Sequence, residues 1–392
     1  MEKIDRKSFL IKIGTIGAAS IVAPSLFAFN MNSADFKPLN RKVKVGIIGC
    51  GSVSRMYLPH LSDSPYAEIV SLCDIKPERA KQKATEFKVA NWYPHIDQML
   101  AGIPFDLLIN LTNMQEHGRL NRIAINAGKY VWSEKPMANS YKEGKELFDL
   151  ALSKNLRIWG APAVVNSPQF AFMAKQINSG KMGILSAGHG SYGHEGPNWS
   201  SFFYEKLGGS MPDLGVYNIA TLVGLLGPAV SVTSILNIVN PTREITDKGT
   251  IKVEEEDNAH ILLEHNNGAI SHIQCGFNYV NSHSYEGEEI PTLAIIGSKG
   301  KMDMIGYDWA PFAVDIATAE NRKFQRMSTE RGTYLWQEGA SVICEYLSTG
   351  KEPLINAEHA LHVLEIIEAA RESNRSRMRI DLKSTFKWPI VL

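Results

Sequence analysis

Cysteine is sparse in this chain, and its few occurrences are unpaired. Cys50, Cys73, Cys275 and Cys344 are the four cysteines, with no CxxC spacing. Neither a zinc knuckle nor a redox dithiol is indicated, and small core residues are the expectation. An excess of one charge is also missing, because 41 lysines and arginines balance 41 aspartates and glutamates. No basic stripe with interleaved aromatics runs along the chain, so the electrostatic footprint of a nucleic-acid binder is absent. No metal site is expected either. His260, His265 and His272 come close in sequence, but they lie in a strand-like stretch broken by the Asn266-Asn267-Gly268 turn signal.

At 392 residues the chain is too long for one ordinary core and suits two domains of roughly 120 to 220 residues, with a cleft between them. With 44% hydrophobic and 21% charged residues, it reads as a soluble globular protein, neither disordered nor membrane-embedded. The N-terminus is set apart. Lys3, Arg6, Lys7 and Lys12 surround or precede an uncharged stretch over 13–29, which is the layout of an export signal. That stretch is short and rich in glycine for a membrane span, and Pro24 interrupts it before a cleavage point after Ala28. Residues 5–12 resemble a twin-arginine signal in which Lys7 replaces the second arginine, leaving the Sec route open. No cysteine precedes Cys50, so no lipid anchor is expected. The organisation read from the sequence is a signal and linker over 1–36, a first domain over 37–162, and a second, larger domain over 163–392. The mature protein is expected in the periplasm with no membrane anchor.

Val43-Lys44-Val45-Gly46-Ile47-Ile48 is a β-branched run suited to a buried parallel strand. Gly49-Cys50-Gly51-Ser52-Val53-Ser54 follows, a GxGxxG pattern ending in serine, where a strand gives way to a helix beginning near Val53. The first glycine allows the tight turn and the second lets the backbone approach a pyrophosphate. The third position needs only a small residue, which Ser54 supplies. A glycine triplet alone is a weak signal. A second strand over 68–73 strengthens it by ending at Asp74, where an acidic residue accepts from the adenosine ribose and repels a 2′-phosphate. NAD is therefore favoured, while Lys76 leaves NADP open. Strands over 91–93, 105–111 and 130–133 alternate with helices over 95–101 and 115–127. The fold expected is α/β, an N-terminal doubly wound parallel sheet of Rossmann type. Residues 252–280 and 293–303 alternate enough to predict a large, mainly antiparallel open sheet in a C-terminal α/β domain.

Asn126-Ala127-Gly128-Lys129 followed by Glu134-Lys135-Pro136 resembles the AGK…EKP signature of the Gfo/Idh/MocA family, the relatives of glucose-fructose oxidoreductase and inositol dehydrogenase. Asn110-Leu111-Thr112 with His117 is similar to the family's loop beside the nicotinamide. Gly208-Gly209-Ser210 leading into Asp213-Leu214-Gly215-Val216-Tyr217 is similar to its second signature, and 295–300 to its later strand-turn motif. The resemblance covers nearly all of the mature chain. It implies NAD(P)-dependent oxidation of a ring hydroxyl, or reduction of the ketone, on sugars, inositols and their derivatives. It also implies a Lys135–Pro136 bond that is often cis, and a homo-oligomer formed through back-to-back sheets.

Ligands of open α/β sheets sit outside the carboxyl ends of the strands, where Glu134 and Lys135 fall. Lys135 could polarise a carbonyl, or take up a hydroxyl proton once burial lowers its pKa. Glu134 either touches the cofactor or orients the loop. The cofactor-binding candidates are Gly49, Gly51, Ser52, Val53, Ser54, Asp74, Thr112, His117 and Glu134. A helix over 213–226 puts Asp213 and Tyr217 on one face at its positive end. With Lys135 they are the catalytic candidates, although Tyr217 stands where many relatives carry a catalytic histidine. A tyrosine with its ordinary pKa of about 10 is a poor base at neutral pH. A nearby ammonium lowers that value, so the base lies open between Tyr217 and Lys135. The stretch 192–204 mixes aromatic and polar groups as a pyranose requires, and supplies Tyr192, His194, Trp199 and Tyr204 as substrate candidates. The same stretch could instead be a plug at the domain junction. Three functions remain: a sugar or polyol oxidoreductase with a tightly bound, recycled cofactor; an NAD-dependent glycoside hydrolase working by transient oxidation and elimination; and an NAD-loaded, non-catalytic sugar sensor. The joint presence of Lys135, Asp213 and Tyr217 argues against the sensor.

Overall fold

A computed structural model describes residues 36–246, 248–280, 291–307, 309–327 and 336–392. The residues read as an export signal lie outside the described residues, and the fold is that of the unit Pro38–Leu392. No described helix is long and apolar enough to cross a membrane.

Strand and helix alternate through the first half of the unit: β1 Val43–Ile48, α1 Ser54–Asp63, β2 Ala67–Cys73, α2 Pro77–Glu86, β3 Asn91–Tyr93, α3 Ile96–Ala101, β4 Leu107–Asn110, α4 His117–Asn126, β5 Tyr130–Ser133, α5 Tyr141–Ser153 and β6 Ile158–Gly160. The six strands pair in parallel in the order β3-β2-β1-β4-β5-β6. β4 is buried throughout and β1 at every residue but Lys44, as strands covered on both faces must be. The order reverses between β1 and β4, so the glycine loop leaves β1 at the sheet's switch point, where such folds bind ligands. β6, a three-residue strand beyond the EKP segment, is too short to give a periodic signal and is absent from the sequence reading.

The second half contains α6 Pro168–Asn178, β7 Leu185–Gly193, α7 Val216–Leu226, β8 Ala229–Asn237, β9 Thr242–Ile245, β10 Gly249–Lys252, β11 Asn258–His265, β12 Ile270–Gly276, β13 Pro291–Gly297, β14 Gly300–Tyr307, β15 Ala310–Thr318, β16 Gln325–Met327, α8 Glu338–Thr349, α9 Ala357–Ser376 and β17 Ile380–Asp381. Nine of these strands form one sheet, ordered β16-β15-β14-β13-β7-β12-β11-β8-β17. Only β7 and β12 run parallel in it. β9 and β10 form a separate hairpin. α7 is buried at ten of its eleven residues and lies against β7. Gly190 on β7 permits the approach, since a Cβ there would stand 2.8 Å from the Asn218 Cβ. α9 runs along β8 and also touches α5, joining the two sheets.

The helix expected over 213–226 differs in its first turn. Met211–Gly215 is a π-helical turn and the α-helix begins at Val216. Pro212 lacks an N–H to donate, and widened turns of this kind are frequent at functional sites. The three histidines near the Asn267 turn also divide. His260 and His272 stack on adjacent strands with 3.2 Å between nitrogens, whereas His265 is buried and bonds the Gly227 carbonyl.

Candidate active site

Gly49 adopts φ +93°, and a Cβ there would lie 2.5 Å from the Leu111 carbonyl carbon, so only glycine passes between the ends of β1 and β4. At Gly51 a Cβ would meet nothing nearer than the Arg79 guanidinium at 3.7 Å, so its backbone faces open space. Ser54 is buried and donates to the Gly51 carbonyl at 2.7 Å, holding the loop onto the first turn of α1. Ser52 is exposed on the loop, with its hydroxyl accepting from Arg55. Asp74 at the end of β2 accepts from the Cys50 and Lys76 backbone N–H groups, each at 2.8 Å. An open glycine cradle with a carboxylate at its side fits a dinucleotide's pyrophosphate and ribose.

The ends of β4 and β5 are fixed by a buried amide network. Asn110 donates to Asn121 at 2.9 Å and accepts from the Thr112 hydroxyl at 2.7 Å, while Asn121 donates to Ser133 and to the Met137 carbonyl. Both ring nitrogens of His117 face carbonyls, Pro136 at 2.7 Å and Thr112 at 2.9 Å. Burial pushes its pKa down and the two facing carbonyls push it up; the neutral ring donates to one of them and only the protonated ring to both. His117 therefore clamps the Thr112 loop to the EKP loop, whose Lys135–Pro136 bond is cis. Glu134 is buried, accepting from the Tyr57 hydroxyl at 2.7 Å and from the Lys135 N–H at 3.0 Å. Burial next to the Glu134 carboxylate keeps Tyr57 far above its ordinary pKa.

Lys135 crosses to the π-helical turn. Its Nζ lies 2.8 Å from Asp213 Oδ1 and 2.6 Å from the Asp213 carbonyl, with both side chains largely buried. The same ammonium stands 5.1 Å from the centre of the Tyr217 ring. Tyr217 packs edge-on against Tyr192, and Tyr192 against His194. Burial, with Tyr217 and Asp213 nearby, holds Tyr192 well above its usual pKa and therefore protonated. His194 is pushed down mainly by burial, and its Nδ1 accepts from the Gly196 N–H at 2.9 Å. The neutral ring thus carries its proton on Nε2.

A cavity of about 290 Å³ gathers these groups. Of the sequence candidates it is lined by Val53, Thr112, His117, Glu134, Lys135, Tyr192, His194, Trp199, Asp213 and Tyr217. The other glycine-loop candidates and Asp74 lie away from it. Tyr204 is not brought in: it is buried, and its hydroxyl donates to the Pro197 carbonyl at 2.9 Å. Trp309, Trp336, Met114 and Phe202 line the cavity without having been singled out as site residues. Tyr57 and Asn121 act one shell further back. A signal for Asn121 exists, because it follows His117 by four residues on an otherwise apolar helix face. None exists for Trp309 or Trp336, which come from distant segments.

Sheet order, glycine cradle and carboxylate together define a dinucleotide-binding fold of Rossmann type. The chain belongs to the Gfo/Idh/MocA family: residues 43–161 match the model described as oxidoreductase family, NAD-binding Rossmann fold, and residues 170–303 match the GFO/IDH/MocA C-terminal domain. It is 24% identical to a D-apiose dehydrogenase of Paraburkholderia graminis over 366 residues, 88% of this chain and 91% of that one. It is also 24% identical to a scyllo-inositol 2-dehydrogenase (NADP(+)) of Bacillus subtilis, over 87% of this chain and 96% of that one. A levoglucosan dehydrogenase solved with NADH and levoglucosan superposes with a TM-score of 0.76 at 20% identity, covering 87% of this chain and 99% of that one, a likeness of fold.

Proposed function

We propose that this chain interconverts a hydroxyl and a ketone on a ring carbon of a sugar or related polyol, with its NAD retained and recycled in place. The observation that carries the reading is the Lys135–Asp213 pair, 2.8 Å apart, at the carboxyl end of β5 and facing aromatic walls. Gly49, Gly51 and Asp74 would hold the adenosine half of the dinucleotide, and Thr112 and Glu134 would border the other half. Bound NAD supplies the two-electron acceptor or donor. An ammonium has three donors, and Asp213 accepts two of them. In reduction the third N–H donates to the ketone oxygen and gives up its proton to it; in oxidation the reverse holds, the substrate hydroxyl passing its proton to the neutral Lys135 amine or to the Tyr217 phenolate. Asp213 fixes the ammonium in place, and the neutral His194 donates to a neighbouring hydroxyl. Relatives named for apiose and inositol dehydrogenation support a polyhydroxylated substrate. The signal-like residues support periplasmic work, where free dinucleotide is scarce and a retained one is an advantage.

The test is turnover of a panel of sugars and inositols by the native-cell periplasmic fraction and by purified protein, with Lys135→Met alongside. Lys135→Met is expected to cut turnover roughly 10²- to 10⁴-fold, the range for a proton-transfer group, while NAD stays bound. Unchanged turnover removes Lys135 from the mechanism. Release of an aglycone with no net change in bound NAD assigns the site to hydrolysis instead.

A further inference from the structure

Two groups of side chains with different chemistry line the cavity. Lys135, Asp213, Tyr217 and His194, linked through Tyr192, supply the hydrogen-bonding groups. Pro197, Trp199, Phe202 and Phe203, which also line it, offer ring faces, with the Trp199 indole N–H as their only side-chain polar group. Trp199 meets Phe203 edge-on at 4.9 Å and Phe202 at 5.9 Å, while Phe202 and Phe203 lie 3.9 Å apart. Phe203 is buried, yet Trp199 is 49% exposed. It therefore stands at the mouth of the cavity, where half of a large apolar ring is left for a ligand to cover.

The backbone beneath this platform is pinned at several points. Arg243 of the β9–β10 hairpin donates to the Glu195 carbonyl at 2.8 Å and lies over the Tyr204 ring, and it also bonds the Phe277 carbonyl and the buried Asp257. Thr246 donates twice to the Asn198 carbonyl, Tyr204 donates to the Pro197 carbonyl, and Gln115 donates to the Phe202 carbonyl at 2.8 Å. Trp199 is thus presented on a fixed loop, which lowers the entropic cost of stacking on it.

We infer that Pro197, Trp199, Phe202 and Phe203 form a second subsite, which takes an apolar aromatic aglycone attached to the reacting sugar. The inference rests on the sugar reading given above and adds that the substrate is a glycoside. A second pyranose would bring hydroxyls that these four side chains cannot match, whereas an aryl ring needs only stacking area. The polar side chains hold the sugar for reaction and the mouth holds what the sugar carries.

The test measures binding, by calorimetry on the NAD-loaded protein, of methyl and 4-nitrophenyl glycosides of glucose, galactose and mannose. For whichever sugar binds, the aryl glycoside is expected to bind on the order of tenfold tighter than the methyl glycoside, the range for one aromatic stack. In Trp199→Ala that ratio is expected to fall towards one, and in Trp199→Phe to recover in part. Trp199 is half exposed, so its replacement spares the core, and thermal melts check that the variants fold. Equal binding of aryl and methyl glycosides by the native protein overturns the subsite, as does a ratio that survives Trp199→Ala. If neither glycoside of any sugar binds, the sugar reading itself fails and the subsite falls with it.

Discussion

Asp74 anchors the glycine loop, and we propose that it also binds the dinucleotide's ribose. Its carboxylate accepts from the Cys50 and Lys76 N–H groups and so ties the glycine loop to the end of β2. Each oxygen also keeps a lone pair, which in this proposal accepts from a ribose hydroxyl. Loop anchoring affects any dinucleotide alike, whereas a ribose contact and charge repulsion of a 2′-phosphate distinguish NAD from NADP. Asp74→Ala is therefore expected to weaken NAD by about tenfold or more, the value of a charged hydrogen bond, and to weaken NADP much less. Competition binding of the two dinucleotides measures this. Equal weakening would reduce Asp74 to a loop anchor.

At the level of elements, the sequence shows most clearly what repeats. β1, the glycine loop and the acid at the end of β2 are local features, each signalled by residue types at fixed offsets, and each lies where those offsets put it. The EKP string and the 213–217 segment are likewise legible one by one. What the sequence leaves hidden is their meeting: Lys135 and Asp213 stand 78 positions apart and touch only because β5 and the π-helical turn converge. The π-helical turn itself gives the same apolar spacing as an α-helical start, so periodicity does not register it. Tyr204 shows the opposite failure. Its neighbours Trp199 and Phe203 line the cavity, but in a packed aromatic loop one ring must face inward. The Arg243 cation over it and the Pro197 carbonyl fix which one. Trp309 and Trp336 enter from β14–β15 and from the segment before α8, a convergence with no local cue.

For the molecule as a whole, the histidines give a pH dependence whose sign can be worked out. His60, His117, His194, His265, His272, His359 and His362 are all pushed below the ordinary value, in each case first by burial. His359 falls to about 4 and His362 to about 3. These two sit where α9, α7, β8 and the C-terminal tail meet, bonded to the Ala220 carbonyl, the Ala229 N–H and the Ser384 hydroxyl. Phe386 covers both rings. The unfolded chain takes up their protons near pH 6.5 and the folded chain does not. Their stabilisation is therefore complete above that value and is lost as pH falls towards 4 and 3. Glu256 opposes them: burial raises it to about 7, so between pH 4.5 and 7 the folded state holds one proton more than the unfolded. Two histidines outweigh one glutamate, and the remaining lowered histidines add to them. A net uptake on the order of one proton on unfolding corresponds to about 1.4 kcal/mol of stability lost per pH unit between about pH 6 and 4.5. Urea unfolding at pH 7, 6 and 5 is expected to show the midpoint falling steadily, and His362→Asn, by removing one of the titrating groups, is expected to flatten that fall. A midpoint that is constant or rises on acidification would mean that Glu256 dominates and that the histidine cluster does not set the acid limit of the fold.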